Sequence, residues 1–349
     1  MISRDKVDKI YIRADANTEI GTGHIMRCLS IAEKLAELNA EVIFIVADEC
    51  SLRFVEDKGY EVLCLNSMWN DFESELPIIR KLIIEKEIKK ILIDDYFVTE
   101  KYLFELSKIT ETIYIDDVDA FIYPVNRLIN YNIYANDLAY ESRYRAANLK
   151  TAFLLGTEYA PLRGEFENIE KRQFRGLRKV LITSGGTDNY NMIGRILNCL
   201  EQHVEFADLH YYCVVGRFNT NKDELIEKYD SYKNVHLLFD IPNISDYMKE
   251  CDVCITAGGT TVYELCACGI PSILYTLADN QLKCAKKVSN IGLMHWCGDV
   301  RYDIYLCLEN IVNELQKFNS AEYCERISHR MQQYVDGMGA KRIAEEIMK

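Results

Sequence analysis

The sequence predicts an α/β protein built of two Rossmann-like parallel-sheet domains. Three observations carry this. Short apolar runs alternate with longer amphipathic ones from end to end, which is the pattern of repeated β-α units around a parallel sheet. Three strand-to-helix turns are rich in glycine: Gly21-Thr22-Gly23-His24, Ser184-Gly185-Gly186-Thr187 and Ala257-Gly258-Gly259-Thr260. The length of 349 residues asks for two domains at about 100–200 residues each.

Composition narrows the class. Hydrophobic residues make up 49% and charged ones 27%, with only 5 Pro, which excludes a disordered, collagenous or coiled-coil chain. Against 54 Asp+Glu stand 41 Lys+Arg, a net charge of −13 that disfavours general binding to nucleic acid or an anionic membrane. The 13 cysteines are an odd number, and Cys28, Cys199, Cys213, Cys266 and Cys307 fall in apolar stretches, so a reduced, cytoplasmic protein is expected rather than a disulfide framework. Cys251, Cys254, Cys266 and Cys268 are spaced like pieces of a zinc site, but Cys251-Asp252-Val253-Cys254 reads as a buried strand. No metal and no cofactor are expected. The sequence shows no apolar leader and no run of ~18 apolar residues, so no signal peptide and no membrane insertion are expected.

In order along the chain, strands are expected at 9–14, 41–47, 59–65, 90–94 and 111–116. A helix at 23–38 carries Ile25, Cys28, Leu29, Ala32 and Leu35 at helical spacing. A linker at 156–166 and a charged stretch at 167–179 divide the chain into domains 1–166 and 167–349. In the second, strand 179–183 enters Gly185-Gly186, a helix follows at 190–201, and strands recur at 209–215, 235–239, 251–257 and 272–277. The helix at 261–268 stops at Gly269, a left-handed cap, with Pro271 just beyond. From Tyr302 onward the pattern is helical, broken at Gly337-Met338-Gly339, and these last helices are expected in the second domain.

Each glycine turn is a candidate phosphate cradle, since glycine admits a close ligand and the next helix offers unpaired N–H groups. The pairs Gly185-Gly186 and Gly258-Gly259 together point to a diphosphate site in the second domain. The N-terminal turn competes as a dinucleotide fingerprint, but Met26 stands where the third glycine belongs and His24 lies within the loop. At a helix start above the strand ends, His24 is a candidate general base, or alternatively a capping residue. Arg27 is one turn on, Arg13 and Asp15 end the preceding strand, and these charges are expected around it. Asp94-Asp95 and Asp116-Asp117 read as solvated strand ends, with Asp117 and Asp119 as the alternative of a Mg²⁺ or Mn²⁺ pair. Tyr96 lies at the same edge as His24 and is expected to meet a substrate hydroxyl or a water, or to pack.

Taken together, these motifs resemble the UDP-sugar hydrolases of pseudaminic acid biosynthesis, the UDP-2,4-diacetamido-2,4,6-trideoxy-β-L-altropyranose hydrolases, which are similar in fold to two-domain glycosyltransferase-B enzymes. The resemblance rests on Arg13-Ala14-Asp15, Gly21-Thr22-Gly23-His24-Ile25-Met26-Arg27, Asp94-Asp95-Tyr96, Ala257-Gly258-Gly259-Thr260-Thr261 with Glu264, and Ala278-Asp279-Asn280-Gln281, and it runs nearly end to end. It implies two domains facing a central cleft, His24 as the catalytic histidine and Tyr96 in the reaction pocket. It also implies Gly258, Gly259, Thr260 and Thr261 at the diphosphate, Glu264 at the ribose, and Asn280 with Gln281 on the sugar side. Arg13, Asp15, Gly23, Arg27, Asn132, Gly185 and Gly186 complete the expected binding set, with Arg13, Arg27 and the helix starts making a locally positive cleft. Two departures stand out: many members read D-H-Y at Asp94-Asp95-Tyr96 and L-N-Q-N at Ile129-Asn130-Tyr131-Asn132. The expected function is hydrolysis of a UDP-linked diacetamido trideoxy sugar. The alternatives are a glycosyltransferase using a UDP-sugar donor and a non-catalytic nucleotide-sugar-binding module.

Overall fold

A computed structural model describes residues 7–17 and 19–349. Residues 1–6, part of the start that lacks an apolar leader pattern, and Thr18 lie outside the described residues. In the first unit the order is β1 (Lys9–Ala14), α1 (Gly23–Glu37), β2 (Glu41–Val46), α2 (Leu52–Glu56), β3 (Glu61–Cys64), α3 (Phe72–Glu85), β4 (Lys90–Asp94), α4 (Glu100–Ser107), β5 (Glu111–Ile115), β6 (Arg127–Asn130), α5 (Tyr140–Ala146) and β7 (Ala152–Leu155). In the second it is β8 (Lys179–Thr183), α6 (Met192–Leu200), β9 (His210–Val215), α7 (Lys222–Tyr229), β10 (Val235–Phe239), α8 (Ile244–Glu250), β11 (Val253–Ala257), α9 (Thr261–Cys268), β12 (Ser272–Thr276), α10 (Asp279–Asn290), β13 (His295–Asp299), α11 (Ile304–Lys317) and α12 (Ala321–Tyr334). The chain ends in α13 (Gly339–Met348).

Both sheets are parallel and share one winding. The first has the order β3-β2-β1-β4-β5-β6-β7 and the second β10-β9-β8-β11-β12-β13. Helices cover both faces of such sheets, so their central strands are continuous apolar runs rather than alternating ones. Accordingly β11 and β12 are buried at every residue, and β1 at every residue but its first. In each sheet the strand order reverses once, between β1 and β4 and between β8 and β11. Ligands of open α/β sheets bind beyond the carboxyl ends at such points.

One correction concerns the C-terminus. The second unit spans Gly164–Gly337, while Met338–Lys349 rejoins the first, where α13 packs on α1 and buries Ile343, Ala344 and Ile347. Lys90 Nζ donates to the Ile347 carbonyl at 2.6 Å, tying α13 to the foot of β4. The C-terminal helices are therefore shared between the units, not held by the second alone. Short strands β6, β7 and β13 join the sheets where none was expected, and the helix expected at 190–201 is shorter at both ends. Among the described residues no helix is long and apolar enough to cross a membrane.

Candidate functional site

In the first unit, His24 sits in the opening turn of α1, directly after β1, and is 4% exposed. Its Nδ1 lies 2.7 Å from Asp94 Oδ1 at the end of β4, the strand paired with β1 across the reversal. Arg27, one turn along α1, donates Nε to Asp94 Oδ2 at 2.5 Å and a second N–H to Oδ1. Burial pushes the Asp94 carboxyl up, but the charges of Arg27 and His24 outweigh it and hold the group well below the usual carboxylate range. A carboxylate accepts only, so Nδ1 carries the imidazole hydrogen and donates it to Asp94. This leaves the Nε2 lone pair as the basic position. A candidate base and the group that orients it are thereby brought together from two adjacent strand ends.

Tyr96 packs edge-on against His24, with ring centroids 4.3 Å apart at 78°, and keeps 42% of its surface exposed. Its hydroxyl donates to Asp117 Oδ2 at 3.3 Å, and burial together with Asp117 holds the phenol above its usual value. Asp117, just past β5, also receives Arg27 through Oδ2 and Asn132 Nδ2 at 3.2 Å through Oδ1. Arg27 further donates to the Tyr131 hydroxyl at 2.5 Å. The ends of β4, β5 and β6 thus meet the start of α1 in one hydrogen-bonded set. Gly23 is exposed beside it, and a Cβ there would meet nothing within 4 Å.

Several expectations need correction. Arg13 is fully buried, donating to Glu75 at 3.0 and 2.7 Å and to Asp15, with Phe72 under its guanidinium; Asp15 also accepts the Ala47 amide at 2.8 Å. This ion pair joins β1 to α3 and the end of β2, and neither residue presents itself to a substrate. Arg27 is 8% exposed and committed to carboxylates. The locally positive surface expected from these two arginines is therefore absent. The acids read as solvated are buried instead: Asp94 and Asp116 are fully covered, Asp95 is 1% exposed, and Asp116 accepts from the Tyr123 hydroxyl at 2.9 Å and from Tyr140. As for the alternative cation pair, Asp117 is engaged as above and Asp119 is paired with Arg143. Asp94 and Tyr131 are functional candidates that the reading of motifs gave no role of their own, and Asp117, weighed there only for a cation, joins them. The readable signal was the i, i+3 pair His24 and Arg27, which needs a buried acid between its members.

In the second unit, Gly185-Gly186, Gly258–Thr261 and Asn280-Gln281 follow the adjacent strands β8, β11 and β12. The α9 start is open: it has no side-chain cap, and among the described residues the Thr260 and Thr261 amides make no hydrogen bond. Gly258 sits close to β12, and a Cβ there would lie a tight 3.3 Å from Thr276 Cγ2. Glu264 lies in the first turn of α9. Gln281 Oε1 accepts the Leu277 amide at 2.8 Å, closing the turn into α10, and Asn280 is exposed next to it. The α6 start differs from expectation. Asp188 takes the Met192 amide at 2.7 Å and the Ile193 amide at 3.2 Å, so this helix already holds an anion of its own. Gly185 and Gly186 pack instead against Gly216, where a Cβ would fall 2.4 Å from each of their carbonyl oxygens.

The cysteines spaced like a zinc site are buried thiols, and burial pushes Cys251 and Cys268 up to about 12. Among the described residues no group of three or more His, Cys, Asp and Glu is arranged to hold a metal ion.

Two wound parallel sheets of this order, with these carboxyl-edge loops, constitute the glycosyltransferase-B fold. The chain superposes on MurG of Acinetobacter baumannii with a TM-score of 0.71 over 98% of this chain and 99% of that one, at 13% identity. Residues 179–340 match the Glycosyltransferase family 28 C-terminal domain. The chain is 25% identical over 301 residues to an uncharacterised protein of Methanocaldococcus jannaschii, covering 82% of this chain but only 60% of that longer relative. It is 26% identical to the UDP-2,4-diacetamido-2,4,6-trideoxy-beta-L-altropyranose hydrolase of Campylobacter jejuni, over 73% of this chain and 87% of that one. It is 25% identical to the UDP-N-acetylglucosamine–N-acetylmuramyl-(pentapeptide) pyrophosphoryl-undecaprenol N-acetylglucosamine transferase of Alkaliphilus metalliredigens, over 77% and 81% respectively.

Proposed function

We propose that the protein is an enzyme acting on UDP-sugars, and that it hydrolyses the anomeric C–O bond of a UDP-linked 2,4-diacetamido-2,4,6-trideoxy sugar of the β-L-altropyranose type, for nonulosonic acid synthesis. The observation that carries the reading is the Asp94-oriented His24 at the start of α1, with Nε2 as its basic atom. In the proposed step Nε2 takes a proton from water while the water oxygen bonds to C1. The C1–O bond breaks, its electron pair goes to the β-phosphate oxygen, and UDP departs. One displacement of this kind inverts C1. The open α9 start, with the Thr260 and Thr261 amides, suits the diphosphate, because unpaired N–H groups and the helix dipole favour the charge that grows on the leaving group. Glu264 is proposed at the ribose and Asn280 with Gln281 toward the sugar. Tyr96 is proposed beside the reacting water.

The family 28 match favours a second reading, in which a sugar hydroxyl replaces water as the nucleophile. The test is UDP release from the UDP-linked diacetamido sugar by the purified protein, with and without candidate acceptor sugars. Release without acceptor supports hydrolysis, and release only with acceptor supports transfer. UDP affinity without turnover in either case would reduce the protein to a binding module. His24→Ala is expected to keep UDP affinity and lose at least 10²-fold in kcat. Full activity in that variant would sink the base assignment.

A further inference from the structure

The side chains around His24 share a chemical bias that no single one of them displays. Asp15, Glu75, Asp94, Asp95, Asp116 and Asp117 are gathered at the carboxyl edge of the first sheet and on α3, and all but Asp117 are nearly or completely buried. Arg13 pairs with Asp15 and Glu75 and Arg27 with Asp94 and Asp117, so both guanidiniums are spent on internal pairs and neither faces Asp95 or Asp116 in an ion pair. Two side-chain atoms beside His24 are left as acceptors as well. Nδ1 gives its hydrogen to Asp94, leaving Nε2 as a lone pair, and the Tyr96 hydroxyl gives its hydrogen to Asp117, leaving lone pairs on Oη.

Asp95 adds to this bias without repaying it. Its Oδ1 accepts the Phe97 amide at 2.7 Å, but its Oδ2 is buried with no hydrogen-bond partner. An unpaired buried carboxylate oxygen is costly to a fold and calls for an explanation. Here the charge has a consequence outside the chain, because the field of a buried, incompletely neutralised carboxylate is only weakly screened by solvent.

We propose that the His24 site selects its glycosyl group by charge and hydrogen-bond polarity. It takes uncharged, donor-bearing groups, with hydroxyl and amide N–H substituents, and rejects sugars that carry a carboxylate, and Asp95 is a specificity determinant that acts through its field. The proposal rests on the UDP-sugar reading above.

UDP-glucose and UDP-glucuronate test it, because they differ only by a hydroxymethyl group against a carboxylate at the same carbon. Affinities for UDP and for both sugars are measured by calorimetry at low and at high salt. The expected result is that UDP-glucuronate binds the wild type roughly tenfold or more weakly than UDP-glucose at low salt, with most of the gap persisting at high salt. Asp95→Asn is expected to narrow the same gap at least threefold with UDP affinity unchanged. Equal or tighter binding of UDP-glucuronate by the wild type overturns the proposal, and this comparison needs no variant to fold. An unchanged gap in a folded Asp95→Asn protein removes Asp95 as its determinant. Failure of UDP itself to bind is a different result, since it overturns the UDP-sugar reading as a whole.

Discussion

Asp94 and Asp95 are neighbours in the chain with opposite electrostatic fates. Both are buried, but Asp94 faces Arg27 and His24, whereas burial dominates at Asp95 and raises its carboxyl to about 6. In the unfolded chain an aspartate titrates near 4, so the folded protein holds this proton more tightly, and ionising Asp95 costs stability as pH rises through about 6. Asn at this position keeps the acceptor for the Phe97 amide and removes the charge. Asp95→Asn is therefore expected to gain on the order of 1–3 kcal/mol over the wild type at pH 8, with no gain by pH 4. Urea unfolding at the two pH values checks this, and an equal gain at both would assign the effect to packing. At the same scale, His24 was legible as a candidate base from two glycines and a helix start. Its partner was not, because a DD pair at a strand end looks alike whether it is solvated or buried.

At the scale of elements, the strongest signals were those set by local chemistry. The helix expected at 261–268 is α9, and Gly269 caps it at φ 61°, the left-handed conformation that a residue without a Cβ adopts freely. A methyl group there would also fall 2.7 Å from Ser328 Oγ. Gly269→Ala is expected to lose roughly 1–3 kcal/mol, read as a lowered Tm, and a Tm unchanged from the wild type would remove the cap as a constraint. The elements that escaped notice have weaker codes. β6 is only four residues long, and β13 carries His295, Gly298 and Asp299 with a register shift against β12. Helix α3 had a readable start, since Asp71 accepts the Ser74 amide at 3.1 Å and Phe72, Leu76, Ile79 and Ile83 form its buried face. Pro77 in its second turn argues against a helix unless that periodicity is given priority.

At the scale of the whole molecule, the return of α13 to the first unit links Met338–Lys349 to the helix that carries His24 in its first turn. Ile347 is fully buried in that contact. Ile347→Ala is expected to cost about 2–5 kcal/mol. The loss should appear as faster hydrogen exchange in α1 and β1, with β8, β11 and β12 unaffected. Acceleration confined to the second unit would assign α13 there instead.

The sequence by itself determined the two parallel α/β halves, the glycine loops at their strand ends and His24 at a helix start. Hydrophobic period, turn chemistry and cap residues are local properties that the chain spells out in order. Only the tertiary structure decided what those residues face. Arg13 became an internal counter-ion, Arg27 and Asp94 became the support of His24, and Asp188 closed one helix start while the other stayed open. Pairing of charges across 60 to 90 residues depends on which strand ends become neighbours, and the order of strands in a sheet leaves no periodic trace in the sequence.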